Sequence, residues 1–398
     1  EAEVLQKLGV LIPVEQMAAI LTRLEFDCKI DGHQVIAKTP PIRLDIGTGV
    51  IGKADLIEEI ARIYSYNNIP ETKLADQLPN QRNNRTLDLE ERTKNLLVDL
   101  GLQEVITYRL TSPDREKRIF PKNHGDENLP YVKLINPSAP ERSVMRRSLL
   151  ASTLEILEKN SRLRDRLAFF EIGPVFLPQE DQVLPQELNI LSIVMTGKRY
   201  PAAWDLKASG EMDFYDLKGI VESLLTNLHI SDVNYEPVMN ASLHPGKSAR
   251  IVVNEVEIGV LGELHPQVKE NYDFLEPVVL VAEIDIKALI ACVPQLFEIR
   301  SVPVFPPVLE DIAVIVDEDL PADRVEALIR QTGGKILSEV RLFDVFRSEQ
   351  IGSGKKSLAY SMTYQALDHT MSANESTALR NKIVKRLERE LGAQLRGE

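Results

Sequence analysis

Residues 310–316 read EDIAVIV and residues 357–366 read SLAYSMTYQA. Both are short, rich in β-branched or aromatic residues and bounded by turn formers, so both are expected as strands. In the second, Leu358, Tyr360, Met362 and Tyr364 alternate onto one face. Ser361, Thr363 and Gln365 fall on the other, open face. Between the two stretches, Pro321 opens a helix that runs to Gly333-Gly334, and ILSEVRLFDVF (336–346) supplies another strand. That strand returns through the glycine-rich turn SEQIGSGKK (348–356). Ser372-Ala-Asn-Glu375 is a capping box for a last helix that stops at Gly392, with a short final strand at Gln394-Leu395. The order predicts a split βαβ, ferredoxin-like unit over 301–398.

Upstream, residues 87–300 mix helices and strands. DLEERTKNLLVDLGL (88–102) is a helix stopped by Gly101, and SLLASTLEILEKNSRLRD (148–165) is another. LAFFEIGPVF (167–176), LNILSIVMTG (188–197), ARIVVNEVEIGVLGE (249–263) and VVLVAEIDI (278–286) are strand-like. An α+β domain with a large, mostly antiparallel sheet is expected. Residues 1–70 open with two short helices split at Gly9–Pro13, carrying Leu5, Leu8, Met17, Ile20, Leu21 and Leu24 at helical spacing. A hairpin turns through Asp31-Gly32, and PIRLDI (41–46) is strand-like. A helix over Lys53–Tyr64 follows, with Leu56, Ile57, Ile60 and Ile63 as its apolar stripe. The polar stretch 71–86, with Pro79, reads as a linker. The whole is an α+β multidomain chain.

Its 398 residues are 43% hydrophobic and 27% charged, enough apolar material for two or three cores. The net charge of −13 argues against a polybasic nucleic-acid binder. Cys28 and Cys292 are too few for a disulfide framework or a four-ligand zinc site, so a reducing, cytoplasmic setting is expected. No apolar run reaches the roughly 18–20 residues of a membrane helix. Because the chain opens EAEVLQKLGV without Met or a signal pattern, it is expected to be part of something longer.

Gly47-Thr-Gly-Val-Ile-Gly52-Lys53 matches G-x-G-x-x-G and most of a phosphate-loop pattern. Ala54 replaces the magnesium-binding hydroxyl, and Asp55, Glu58 and Glu59 would repel a phosphate there, so a flexible glycine loop is the better reading. A Mg²⁺-dependent nucleotide enzyme around Gly47–Glu59 is the rival. Asp55, Glu58 and Glu59 share one helix face, and Asp45 can fold back beside them, a set suited to a hard cation. Asp55-x-x-Glu58 equally resembles a capping box. Arg142–Arg166 holds seven basic and three acidic side chains, expected as a solvated face with RNA contact as the alternative. The six histidines lack metal-ligand spacing. Residues 303–398 carry 13 basic against 15 acidic side chains, the least acidic part of the chain.

PIRLDI…ADLIEEIARIYSYNNIP resembles the signature of the B5 module in the β subunit of bacterial phenylalanine–tRNA ligase. LINPSAPERSVMRRSLLASTLEILEKNSR…FFEIGPVF and ASLHPGKSARI…IGVLGELHP resemble that subunit's inactive class II synthetase-like domain. FPPVLEDIAVIV…LFDVF…GSGKKSLAYSMTYQALDHTMSANE resembles its ferredoxin-like anticodon-binding domain. The resemblance implies a B5-type winged or helical α+β module at 1–70, a linker at 71–86, a catalytic-like domain at 87–300 and an anticodon-binding domain at 301–398. It further implies an (αβ)₂ enzyme in which the α subunit performs the ATP-dependent chemistry. The β subunit is then scaffold and binds tRNA-Phe. The family's editing domain precedes B5, so this stretch alone is expected neither to charge nor to edit tRNA. The family's Mg²⁺ positions map onto Asp45, Asp55, Glu58 and Glu59, in a site shared with the α subunit. Arg347, Lys355, Lys356, Ser361 and Thr363 are the expected tRNA contacts. A non-enzymatic RNA-binding or assembly protein is the other rival.

Overall fold

The structure, a computed structural model, describes residues 1–71, 83–122, 130–201, 203–205, 210–297, 299 and 301–396. Most of the expected linker, residues 72–82, lies outside the described residues. The chain divides into two compact units, Glu1–Arg85 and Thr86–Glu398. Among the described residues no helix is long and apolar enough to cross a membrane.

The first unit begins with α1 (Ala2–Leu8), stopped by Gly9 at φ 71°, and α2 (Val14–Arg23). Strands β1 (Asp27–Asp31) and β2 (Gln34–Lys38) pair antiparallel, with Asp31 opposite Gln34 across a two-residue turn. Gly32 sits there at φ 54°, a conformation glycine adopts without steric cost. Helix α3 (Gly49–Tyr64) closes the unit, and Val4, Ile12, Val14, Met17, Ile20, Leu21, Phe26 and Ile60 form its core. Leu5, expected inward, is 44% exposed, because α1 turns Val4 to the core instead.

Two expectations fail here, for linked reasons. PIRLDI forms turns and no strand; Pro40 and Pro41 remove ladder donors just where pairing would begin. Helix α3 starts at Gly49, four residues before Lys53, with Thr48 as its N-cap residue. Gly49 therefore opens the helix at φ 62°, Gly52 lies within its first turn, and Asp55 lies in the helix interior and not at a cap. Gly52 is there because Gly47 crosses the first turn: a Cβ on Gly52 would come within 2.3 Å of the Gly47 carbonyl oxygen.

In the second unit, α4 (Arg85–Asp99) leads to a seven-stranded sheet. Its strands are β3 (Gln103–Glu104), β4 (Arg166–Leu177), β5 (Gln186–Gly197), β6 (Val233–Pro237), β7 (Leu243–Val253), β8 (Val256–Leu264) and β9 (Val279–Asp285). They lie in the order β3-β4-β5-β9-β8-β7-β6, and only the β3–β4 pair is parallel. Both faces are covered. Along β5, Leu191, Ile193 and Met195 join the core formed with α4 and α6 (Phe214–Asn227), while Val194 joins the core under α5 (Leu150–Asn160).

Strand β4 carries a charge into this interior. Glu171 is 3% exposed and Arg146 is 1% exposed, with Arg146 Nη1 at 2.8 Å from Glu171 Oε1. Arg146 also donates to Thr107 Oγ1 at 2.9 Å and to the Pro174 carbonyl at 2.9 Å. Gly173 makes room, since a Cβ there would lie 2.5 Å from Arg146 Nη2. The Glu-Ile-Gly-Pro run of 171–174 is thus the seat of a buried ion pair.

The stretches expected as separate domains at 87–300 and 301–398 fall in one compact unit, yet each keeps its own sheet and core. The last part contains β10 (Val308–Asp317), α8 (Ala322–Gly333), β11 (Leu337–Phe346), β12 (Lys355–Tyr364), α9 (Ala373–Leu391) and β13 (Gln394–Leu395). Strand order β11-β12-β10-β13, all antiparallel, is the ferredoxin-like arrangement. Ser372 and Glu375 form the expected capping box, and Gly392 ends α9 at φ 62°. Leu358, Tyr360, Met362 and Tyr364 are each at most 1% exposed.

Arg146→Ala should destabilise the chain by about 3–5 kcal/mol, because it strands a buried carboxylate. Urea titration followed by circular dichroism checks this, and an unchanged midpoint would show the pair to be dispensable.

Candidate functional site

In the first unit, the loop before α3 gathers charge. Arg43 Nη2 lies 2.6 Å from Asp45 Oδ2 and 3.0 Å from Glu59 Oε1, and its Nε donates to Asp45 Oδ1 at 2.9 Å. Glu59 also pairs with Arg62. Asp55 Oδ2 accepts the Gly47 amide at 2.7 Å, pinning the loop to the helix. Glu58 is exposed. Arg43 holds the Asp45 carboxyl down at about 2. Arg62 first, then Arg43, lowers that of Glu59.

The four carboxylates expected to bind Mg²⁺ do not converge. Among the described residues no group of three His, Cys, Asp or Glu is arranged to hold a metal ion. The cation between Asp45 and Glu59 is Arg43, and Asp55 is committed to a backbone amide. These residues do not fit a formed Mg²⁺ site. The phosphate-loop rival fares no better: Gly52 and Lys53 lie within α3, and Lys53 Nζ is 3.1 Å from Glu3 Oε2.

The basic run Arg142–Arg166 is largely consumed inside its own unit. Arg142 stacks over Tyr108, Arg146 is buried against Glu171, Arg147 donates to the Pro130 carbonyl and Arg162 pairs with Asp273. Arg142, Lys159, Arg162 and Arg164 nevertheless stay exposed, so the solvated-face expectation fails only for the buried Arg146 and the half-buried Arg147 and Arg166. Nearby, Glu116 is 2% exposed; its Oε2 accepts the Arg147 amide at 3.2 Å and its Oε1 has no partner among the described residues. Burial pushes this carboxyl up to about 7, and Glu283, bonded by Ser148 Oγ at 3.0 Å, is raised by burial too.

The five expected tRNA contacts separate into two groups. Ser361 and Thr363 lie on the open sheet face and line a hollow of about 390 Å³ with Leu309, Asp311, Glu339, Arg341 and Phe343. The register forms two rows: Leu309–Thr363–Glu339 and Asp311–Ser361–Arg341. Arg347, Lys355 and Lys356 sit at the far end of the strands. Ser361 is five residues from Lys356, roughly 17 Å along a strand. Arg347 grips Glu318 through Nη2 at 2.7 Å and Nε at 3.0 Å, and Lys356 Nζ donates to the Glu318 carbonyl at 2.6 Å. Arg347 lowers the Glu318 carboxyl. Sequence reasoning missed Arg341 and Phe343, the latter 52% exposed. Register shifts at Leu337/Glu339 and Leu342/Asp344 break the alternation of β11 that would have marked them.

Three family models match the chain. They are the tRNA synthetase B5 domain over residues 1–66, the phenylalanyl-tRNA synthetase beta chain CLM domain over 69–286 and the ferredoxin-fold anticodon-binding domain over 303–396. The chain is 36% identical over 393 residues to the phenylalanine–tRNA ligase beta subunit of Clostridium acetobutylicum, covering 98% of this chain and 47% of that relative. The Clostridium tetani beta subunit is 38% identical over 395 residues, with the same coverage. That of Symbiobacterium thermophilum is 40% identical over 370 residues, covering 92% of this chain and 40% of the relative. The fold and these matches define a synthetase-like chain whose last part matches a ferredoxin-fold anticodon-binding domain. The chain belongs to the phenylalanyl-tRNA synthetase beta chain family. It spans about half the length of the curated relatives it matches.

Two outcomes follow from this geometry. Arg43→Gln removes the competing cation, so calorimetry should show Mg²⁺ binding about tenfold tighter than in the weakly binding wild type, a change of about 1.4 kcal/mol. Equal affinities would mean that Arg43 does not hold the place of a cation. For Glu116, the folded carboxyl binds a proton more tightly than the unfolded one. Its stabilising contribution is therefore complete below about 4.5 and lost as the pH rises through about 7. Glu116→Gln should gain on wild type by up to about 3 kcal/mol between pH 5 and pH 8 in denaturation experiments. A pH-independent difference would contradict this.

Proposed function

We propose that this chain is the non-catalytic scaffold and tRNA-binding part of a phenylalanine–tRNA ligase, which joins phenylalanine to its tRNA with ATP. The observation that carries the reading is the presence of the B5, CLM and anticodon-binding matches in one chain, in that order. The partner is an α subunit in an (αβ)₂ assembly of the cytoplasm, and that subunit uses ATP and Mg²⁺. Asp45 and Glu59 enter the proposal as the carboxylates that hold Arg43, Asp55 as the anchor of the Gly47 amide and Glu58 as an exposed charge, with no step routed through a metal.

The anticodon-binding part supplies RNA contact through its open face. Phe343 offers a ring for base stacking, Ser361 and Thr363 offer hydroxyls, and Arg341 offers a planar cation. Asp311 and Glu339 in the same hollow repel phosphate, so the face suits bases more than backbone. Lys355 keeps a phosphate-contact role, since Glu318 holds Arg347 and Lys356 but not Lys355.

Reconstitution with a cognate α subunit tests the reading. The chain alone should show no phenylalanine-dependent ATP–pyrophosphate exchange, and the complex should show exchange and tRNA charging. Removing residues 302–398 should spare exchange and impair charging. Charging that survives this deletion at moderate salt would overturn the tRNA-binding role, and exchange without the α subunit would overturn the scaffold role.

A further inference from the structure

The outer face of α9 carries charge that the fold leaves unspent. Lys382, Lys385, Arg386 and Arg389, with Ala378 and Asn381, line a groove of about 470 Å³. Ile383, Val384 and Leu387, on the other side of the helix, are buried in the core. From Lys382 to Arg389 the row runs about 10 Å along the helix. Four like-charged pairs stand at three- and four-residue spacing: 382 with 385, 382 with 386, 385 with 389, and 386 with 389. Each such pair weakens a helix by about 0.2–0.5 kcal/mol. The helix dipole favours cations only in the last turn, which Lys382 and Lys385 do not reach.

Internal neutralisation is partial. Glu390 accepts from Arg386 Nε and from Arg389, both at 2.9 Å. Arg386 is also tied to α8, through Thr332 Oγ1 and Gln331 Oε1 at 3.2 Å each, which fixes that wall of the groove. Lys382 and Lys385 are exposed, and among the described residues neither has an ion-pair partner. A rigid, self-repelling cationic row in a chain of net charge −13 is complementary to closely spaced anions.

We propose that the α9 groove grips the phosphate backbone of RNA through Lys382 and Lys385, on the helical side of the anticodon-binding part. The proposal rests on the reading of this part as RNA-binding, and it names a second surface, opposite the open sheet face. That face, with Asp311 and Glu339, favours bases, while the groove presents only cations and two small residues. Lysine ammonium groups bind phosphate as point charges, so the contact is independent of sequence and sensitive to salt.

The test is fluorescence anisotropy of the full chain with a labelled tRNA-Phe transcript across a salt series. Lys382→Glu/Lys385→Glu should weaken binding about tenfold or more and flatten the log affinity–log salt slope by about 2. Lys382→Arg/Lys385→Arg should restore both. Circular dichroism verifies the helix in each variant. Wild-type affinity and slope in the double reversal would overturn the groove, and loss of binding only in Arg341→Glu/Phe343→Ala would leave the RNA reading standing without it. No binding of wild type to the transcript would remove the reading as well. Binding to phosphatidylserine vesicles in place of RNA would reassign the groove to membranes and overturn the proposal.

Discussion

The buried ion pair between Arg146 and Glu171 anchors the larger sheet to the segment before α5. Both groups are almost fully removed from water, where an unpaired charge would cost several kcal/mol. The pair persists because Arg146 is satisfied on several sides: by Glu171, by Thr107 and by the Pro174 carbonyl. Those partners bind the segment before α5 to strand β4. Gly173 is forced by the same geometry, since its missing Cβ is the space the guanidinium occupies. One buried cation thus fixes a strand, a loop and a glycine.

Arginine is spent in this way throughout the chain. Arg43 bridges Asp45 and Glu59, Arg115 pairs with Glu155, Arg118 with Glu158, Arg199 with Asp216 and Arg347 with Glu318. A planar guanidinium with several donors suits such bridging, and a lysine does not. Counting basic residues along the sequence therefore overstates the positive surface. In the run Arg142–Arg166, Arg146, Arg147 and Arg162 are already committed to partners, whereas Lys382 and Lys385 of α9 remain available.

That contrast explains what the sequence disclosed. The ferredoxin-like part was legible almost to the residue, because its signals are local: alternation in β12, the capping box at Ser372 and the glycine stop at 392. The large sheet was legible in kind, since long apolar strands announce themselves, but its order was not, because strand pairing depends on distant partners. The start of α3 was misread for the same reason. Gly49 and Gly52 signal flexibility in isolation; only the passage of Gly47 over the helix makes Gly52 a close-packing requirement, while Gly49 opens the helix at φ 62°.

The candidate sites follow the same rule with greater force. Spacing placed Asp55, Glu58 and Glu59 on one helix and allowed Asp45 to approach, yet spacing carries no information about which cation arrives first. Arg43 lies two residues from Asp45 in the chain, so its effective concentration exceeds that of any dissolved ion, and an intramolecular partner wins without a formed cage. A metal would have to displace a bidentate guanidinium and free Asp55 from the Gly47 amide, and only added ligands from another chain could offset both losses. The same competition governs the RNA surface: the Glu318 carboxylate holds Arg347 at one end of β12, its carbonyl accepts from Lys356, and no carboxylate holds Lys382 and Lys385 on α9 among the described residues. Where an internal acid already neutralises a cation, RNA gains little by meeting it. The residues left for recognition are therefore those the fold itself has no use for.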